Sequence, residues 1–78
     1  VLLDPALVFK IGFNFNAYSL VLVHNHPSGD PSPSVADYNM TKRLKECGAM
    51  LGIDMKDHII IGDQNYFSFK EADWQFYK

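Results

Sequence analysis

Two histidines separated by one residue, followed by a serine and an aspartate, are the residues of this sequence best suited to metal chemistry. Their pattern is His24-x-His26-x7-Ser34-x2-Asp37. Two neutral imidazoles and one carboxylate are a common zinc ligand set, and three protein ligands leave the fourth tetrahedral position for water. A bound zinc ion lowers the pKa of its water and polarises a carbonyl. The pattern therefore predicts hydrolytic chemistry at a zinc site.

Each of these residues also has a structural interpretation. Asp37 follows Ser34 by three residues, which is typical of a capping box at the start of a helix. An isolated pair of histidines at the end of a strand is more often part of a polar loop than of a metal site. The joint spacing favours the metal interpretation, because ligands in open α/β sheets bind beyond the carboxyl ends of strands.

Three consecutive elements are predicted to position the four residues. A short aliphatic strand, Tyr18–Val23, is apolar on both faces in its second half and ends at His24, and period-two alternation sends both imidazoles to the same side. A proline-rich loop, 25–33, then returns the chain to a helix that starts at Ser34 and ends at Gly52. The predicted apolar stripe of that helix consists of Ala36, Met40, Leu44, Cys47 and Leu51.

The remaining sequence predicts three further elements and a tail. Asp4-Pro5 is a typical helix start, and the helix should continue to about Asn16. A strand from His58 to Gly62, a turn and a partner strand from Tyr66 to Phe69 predict a hairpin. Leu7, Val8, Ile11 and Phe15 recur at helical spacing in this first helix, and a short helix is predicted around Glu71 to Phe76.

The order strand, helix, strand predicts a right-handed βαβ crossover with parallel strands. We expect a three-layer α/β domain in which the long helix covers one face of the sheet and the first helix covers the other. Residues 1–78 are too few for a second core, so a single domain is predicted.

Composition limits the partners. The net charge is −2 and the basic residues are not clustered, which disfavours a nucleic-acid partner. Apolar runs such as Leu20–Val23 are far shorter than the roughly 20 residues that cross a bilayer, so no membrane partner is expected. The single cysteine, Cys47, fits a cytoplasmic location, although it would also fit a secreted protein without a disulfide, and it is expected in the core.

The metal pattern resembles the signature of the JAMM or MPN-plus metal-dependent proteases, and the match is complete from His24 to Asp37. More narrowly, the sequence is similar to the RadC-like branch over roughly Asp4 to Phe69. The matching residues are the run from His24 to Ser34, then Asp37, Thr41, Gly48, Leu51-Gly52-Ile53, Asp57-His58 and Gly62.

The resemblance implies a JAB/MPN-like fold of the cytidine-deaminase-like type and a zinc-dependent metallopeptidase or isopeptidase that acts on a protein or peptide. His24, His26 and Asp37 would be the zinc ligands. Ser34 would be the catalytic residue that steadies the zinc water or the developing oxyanion. His58 belongs to the resemblance as well, but a packed structural role is the favoured interpretation for it.

The sequence departs from the family pattern in one respect. The family's general base is a glutamate on a strand upstream of the histidines, whereas the first glutamate here is Glu46. Glu46 lies nine residues after Asp37, about 180° around the helix. We therefore expect the carboxyl-terminal part of a longer domain, inactive by itself, with an exposed sheet edge that permits a homo-oligomer.

Two other functions remain open at this point. A non-catalytic protein-interaction scaffold would keep the fold without the reaction. The second alternative is a DNA-repair-associated factor, because RadC-like proteins have carried that label. The net charge of this chain does not favour it.

Overall fold

The structure, a computed structural model, describes residues 5–74 and contains two helices packed on a three-stranded mixed sheet. The strand order is β1-β2-β3, with β1 and β2 parallel and β2 and β3 antiparallel. The elements in chain order are α1 (Pro5–Asn14), β1 (Ser19–Asn25), α2 (Val35–Leu51), β2 (Asp54–Ile61) and β3 (Tyr66–Ser68).

Local signals fix both ends of α2. Ser34 caps the helix by accepting a hydrogen bond from the Asp37 amide, and the Asp37 carboxylate accepts one from the Ser34 amide in return. Gly52 ends the helix in the left-handed conformation, with φ of 77°, which a residue without a side chain adopts at little cost. The predicted capping box and glycine cap are therefore confirmed.

The register between β1 and β2 determines which residues lie above the sheet. Leu22 pairs with His58 and His24 pairs with Ile60, so these residues share the face that carries the helices. The core on this face combines Phe9 of α1, Leu44 of α2, Met55 of β2 and the linking residue Ile53.

Of the four apolar residues that recur at helical spacing in and after α1, only Val8 packs against the core. Phe9 and Gly12 are buried, whereas Leu7 and Ile11 are about half exposed and Phe15, beyond the end of the helix, is 80% exposed. Phe9 lies against Gly48 of α2 and Gly12 lies against Ile53, so packing against α2 and the residue that follows it decides which face of α1 is buried.

The apolar stripe of α2 is correct only in its middle. Leu44 is fully buried and Met40 and Cys47 are partly buried, but Ala36 and Leu51 are exposed. Thr41 and Gly48 are buried instead, because Thr41 contacts His58 of β2 and Gly48 lies against Ile53 with no room for a side chain.

The predicted three-layer arrangement is not found in residues 5–74. Instead of being buried on both faces, β1 exposes 53% of Val21 and 52% of Val23 on the face opposite the helices. α1 packs against α2 and joins the same core, so it does not cover that second face.

Strand boundaries also differ from the predictions. β1 continues through His24 to Asn25, and β2 begins at Asp54, four residues before the predicted start. The hairpin of β2 and β3 is confirmed. Residues 69–74 form turns, while Asp4 and the end of the predicted tail helix lie outside the described residues. Neither described helix has the length and apolar character needed to cross a membrane.

Candidate metal centre

Side chains of the two histidines and Asp37 converge at the end of β1. His24 Nε2 lies 3.6 Å from Asp37 Oδ1, and His26 Nε2 lies 3.1 Å from Asp37 Oδ2. One potential ligand atom from each residue lies within 4.8 Å of the others. The structure thus brings together the three residues that the sequence pattern singled out for metal binding.

Backbone pairing explains why the two imidazoles face the same way. His24 lies within β1, and the His26 amide donates to the Ile61 carbonyl over 3.0 Å, which extends the strand pairing one residue further. Residues two apart in an extended strand point to one side. Their ring centroids are 5.1 Å apart, close enough for both to reach one ion.

Asp37 reaches the same point from α2 because the capping box fixes its carboxylate. Asp37 Oδ2 accepts the Ser34 amide over 2.8 Å, which holds the side chain across the first turn of the helix. Ser34 Oγ lies 3.1 Å from the Asp37 amide and the residue is exposed. Ser34 is therefore adjacent to the candidate centre and is held there by the helix start.

The loop before α2 is anchored on both sides. His26 Nδ1 lies 2.9 Å from the Asp30 carbonyl oxygen, and the Gly29 carbonyl accepts the Asp63 amide over 2.9 Å. A side chain at Gly62 would begin 2.5 Å from the Gly29 oxygen, so glycine is required where the loop crosses the turn between β2 and β3. This anchoring fixes the distance between β1 and the start of α2.

The donor set and its spacing fit zinc. Zinc–nitrogen and zinc–oxygen bonds of about 2.0–2.2 Å place tetrahedral ligands roughly 3.3 Å apart. The distances from His26 and His24 to Asp37, 3.1 and 3.6 Å, are near that separation but involve different oxygens, and one ligand atom of each residue lies within 4.8 Å of the others. His24, His26 and Asp37 would hold the ion.

Electrostatics favour an ionised Asp37. Burial, the largest single influence, raises its pKa, but hydrogen bonds from Ser34 and the nearby histidines together lower the pKa below its ordinary value of 3.8. Burial also lowers the pKa of His24, against the opposing influence of Asp37. A carboxylate beside a neutral imidazole is the protonation state that a metal ligand set requires.

His58 is packed, as predicted, and it also contacts one of the two histidines of the candidate centre. Its ring is 1% exposed, and its Nε2 lies 2.8 Å from His24 Nδ1. Burial, with the neighbouring His24, lowers the pKa of His58 to about 4, so the ring is neutral at pH 7. The strand register that pairs Leu22 with His58 creates this contact, and nothing in the local sequence reveals that register.

A cleft of about 560 Å³ opens beside the three residues. Its apolar wall is formed by Leu22, Val23, Pro27 and Met40. Neither glutamate lines it: Glu46 is exposed on α2, and the Glu71 carboxylate accepts the Tyr66 hydroxyl and lines a separate pocket beside Ile59 and Ile61.

Comparison with known proteins agrees with the geometry. Residues 1–74 match the family described as the RadC-like JAB domain. The chain belongs to this family. Similar curated relatives are named UPF0758 protein, which says nothing about an activity.

The RadC-like JAB relatives align along nearly all of this chain. The UPF0758 protein of Clostridium perfringens is 51% identical over 72 residues, which cover 92% of the chain and 32% of the relative. That of Geobacillus thermodenitrificans is 53% identical over 73 residues, 94% of the chain and 32% of the relative. The chain thus spans about a third of the length of these relatives.

Proposed function

We propose that this RadC-like JAB domain is the metal-binding part of a zinc-dependent hydrolase, a metallopeptidase or isopeptidase. The observation that carries the proposal is the convergence of His24, His26 and Asp37 beside an open cleft. Two imidazoles and one carboxylate are typical of catalytic zinc sites, whereas structural sites usually have four protein ligands.

The three candidate ligands and Ser34 have separate roles in this proposal. When bound, zinc would act as a Lewis acid that polarises a carbonyl and lowers the pKa of its bound water. His24, His26 and Asp37 would hold the ion. The Ser34 oxygen accepts the Asp37 amide, which leaves the hydroxyl proton free to be donated to an oxyanion.

An amide in a protein or peptide is the substrate that the cleft suits best. The apolar wall would bury side chains that flank the scissile bond. The net charge of −2 offers little attraction to phosphates, which disfavours the alternative of a DNA-repair-associated factor. A cytoplasmic location belongs to the same proposal and agrees with the free, half-buried Cys47.

The general base is proposed to come from outside these 78 residues. Asp37 is the only carboxylate that lines the cleft among the described residues, and this proposal assigns it to the ion as a ligand. By itself the chain is expected to bind zinc without turning over a peptide. A protein-interaction scaffold is the alternative, and it is favoured if the chain takes up no zinc.

The test is zinc affinity of the purified chain, measured by competition with a chromophoric chelator. His26→Ala should weaken binding by about 100-fold, since structural zinc sites gain roughly 3 kcal/mol per ligand. Asp37→Asn should weaken it similarly. The matched control is Glu46→Gln, which removes an exposed carboxylate from the same helix and should leave the affinity unchanged.

Two results would contradict the proposal. A wild-type chain that fails to take up zinc under saturating conditions would exclude the metal centre. Equal affinities for wild type and His26→Ala would show that zinc binds elsewhere on the chain.

A further inference from the structure

A chain of hydrogen bonds runs from the backbone of α2 through two buried side chains to one of the histidines of the candidate metal centre. Thr41 Oγ1 lies 2.7 Å from the Asp37 carbonyl oxygen and 2.6 Å from His58 Nδ1. His58 Nε2 lies 2.8 Å from His24 Nδ1. Thr41 is fully buried and His58 is 1% exposed, so solvent does not compete for these bonds.

The proton positions along this chain follow from what each group can donate. The Asp37 carbonyl can only accept, so the single hydroxyl proton of Thr41 is donated to it. Thr41 Oγ1 must then accept from His58, which places a proton on His58 Nδ1. In the neutral ring that burial favours, His58 Nε2 is an acceptor, and His24 donates to it from Nδ1.

The consequence for His24 is a fixed tautomer. With its proton on Nδ1, neutral His24 carries its lone pair on Nε2, the atom that faces Asp37. We infer that Thr41 and His58 are positioning residues that hold His24 in the tautomer that binds the metal. This inference rests on the proposed function, because it assigns the metal as the ligand of His24 Nε2.

Packing keeps His58 in the orientation that this requires. Its ring stacks on Phe69, with centroids 5.0 Å apart and an interplanar angle of 12°. A rotation that exchanged its two nitrogens would break the bonds to both Thr41 and His24. His26 is oriented separately, by donation from Nδ1 to the Asp30 carbonyl oxygen, so it serves as an internal control.

Thr41 offers a matched pair of variants. Thr41→Ser keeps the hydroxyl and should retain the zinc affinity of the wild type. Thr41→Val keeps the shape but removes the acceptor of the His58 Nδ1 proton, which frees that proton to move to Nε2. Zinc affinity of Thr41→Val should fall by about 10- to 100-fold, the usual loss when an outer partner of a ligand histidine is removed.

His58 offers a second pair should Thr41→Val fold poorly. His58→Phe preserves a ring against Phe69 but offers no acceptor to His24, so its zinc affinity should fall in the same range. His58→Gln places an amide oxygen near the position of Nε2 and should recover most of the affinity. A merely structural role for His58 predicts no such difference between the two variants.

Tautomers are read directly from nitrogen chemical shifts of the metal-free chain labelled with 15N-histidine. Wild type and Thr41→Ser should show His24 protonated on Nδ1, whereas Thr41→Val should shift that proton towards Nε2. The spectrum of His26 should remain the same in all three chains.

The two readouts separate this inference from the proposed function. His24 protonated on Nε2 in the wild type, or unchanged zinc affinity in both Thr41→Val and His58→Phe, overturns the inference even though zinc binds. Absence of zinc binding by the wild type overturns the metal site, and a proton found on Nδ1 then still supports the tautomer assignment.

Discussion

Asp37 uses the two oxygens of one carboxylate for two different purposes. Oδ2 closes the capping box with the Ser34 amide and also lies beside His26, while Oδ1 faces His24. Helix start and candidate metal ligand are therefore one structural feature. The two interpretations of this residue that the sequence left open are compatible, because the capping bond points the carboxylate towards the histidines.

Substitution of Ser34 separates capping from any contact with the metal. Ser34→Ala should lower the free energy of unfolding by about 1 kcal/mol, because the Asp37 amide loses its acceptor. Zinc affinity should stay within a few-fold of wild type, since the backbone amide that orients Asp37 remains. Denaturant titration and chelator competition measure the two quantities.

Ser34→Thr is the control, because it keeps the hydroxyl and should match the wild type in both measurements. A tenfold loss of zinc affinity in Ser34→Ala would contradict this prediction and would place the hydroxyl in direct contact with the ion.

At the level of single residues, the sequence was most informative where a signal is local. The pattern from His24 to Asp37 is read within 14 consecutive positions, and the structure brings its two histidines and its aspartate together. His58 lies 34 positions from His24, and only the pairing of two strands makes them neighbours. A contact of that kind cannot be read from a single sequence.

The junction between α2 and β2 depends on a close approach of backbone at Gly48. A side chain there would begin 2.3 Å from the Ile53 carbonyl oxygen. The Gly48 carbonyl also accepts the amides of Gly52 and Ile53, which turns the chain into β2. Because Leu44 and Met55 pack on either side of this turn, its geometry sets the position of the core.

Replacement of Gly48 by alanine has two opposing effects on the free energy of unfolding. Alanine gains about 1 kcal/mol in a helix interior, but a contact of 2.3 Å with backbone forces α2 and β2 apart. Overpacking costs typically 1–3 kcal/mol and the backbone cannot give way, so we expect a net loss of about 2 kcal/mol. Urea unfolding measures the change in the free energy of unfolding.

Gly12 in α1 provides the matched control. Its added side chain would lie 3.4 Å from Ile53 Cδ1, which is an ordinary contact with a flexible group. Gly12→Ala should therefore leave stability unchanged or raise it by up to about 1 kcal/mol. If Gly48→Ala were as stable as Gly12→Ala, the junction would be looser than the structure indicates.

Elements with capping signals were predicted better than elements defined by hydropathy alone. Ser34 and Gly52 mark the ends of α2 by chemistry that acts within one turn. α1 has apolar residues on most of its circumference, so periodicity could not choose between the face with Leu7 and Ile11 and the face with Phe9. That choice is made by packing against α2, which is a tertiary effect.

Considered as a whole molecule, the chain covers its sheet on one face only. Val21, Val23 and Ile61 lie on the other face, and each is about half exposed. Among the described residues, no strand pairs with the outer edge of β1. The described residues therefore have an open sheet edge, as expected, and an exposed apolar face next to it. The apolar sequence of β1 had predicted that this face would be buried.

An open edge beside an exposed apolar face should make the chain associate with itself. We predict that the weight-average mass in sedimentation equilibrium rises above 8.9 kDa with increasing protein concentration. Val23→Lys should weaken this association by at least about tenfold, because it removes a valine from the buried contact and adds a charge. Met50→Lys is the control, since Met50 is 86% exposed on α2, away from the open face. A wild-type mass that stays at 8.9 kDa at every concentration, or an equal effect of Met50→Lys, would contradict the prediction.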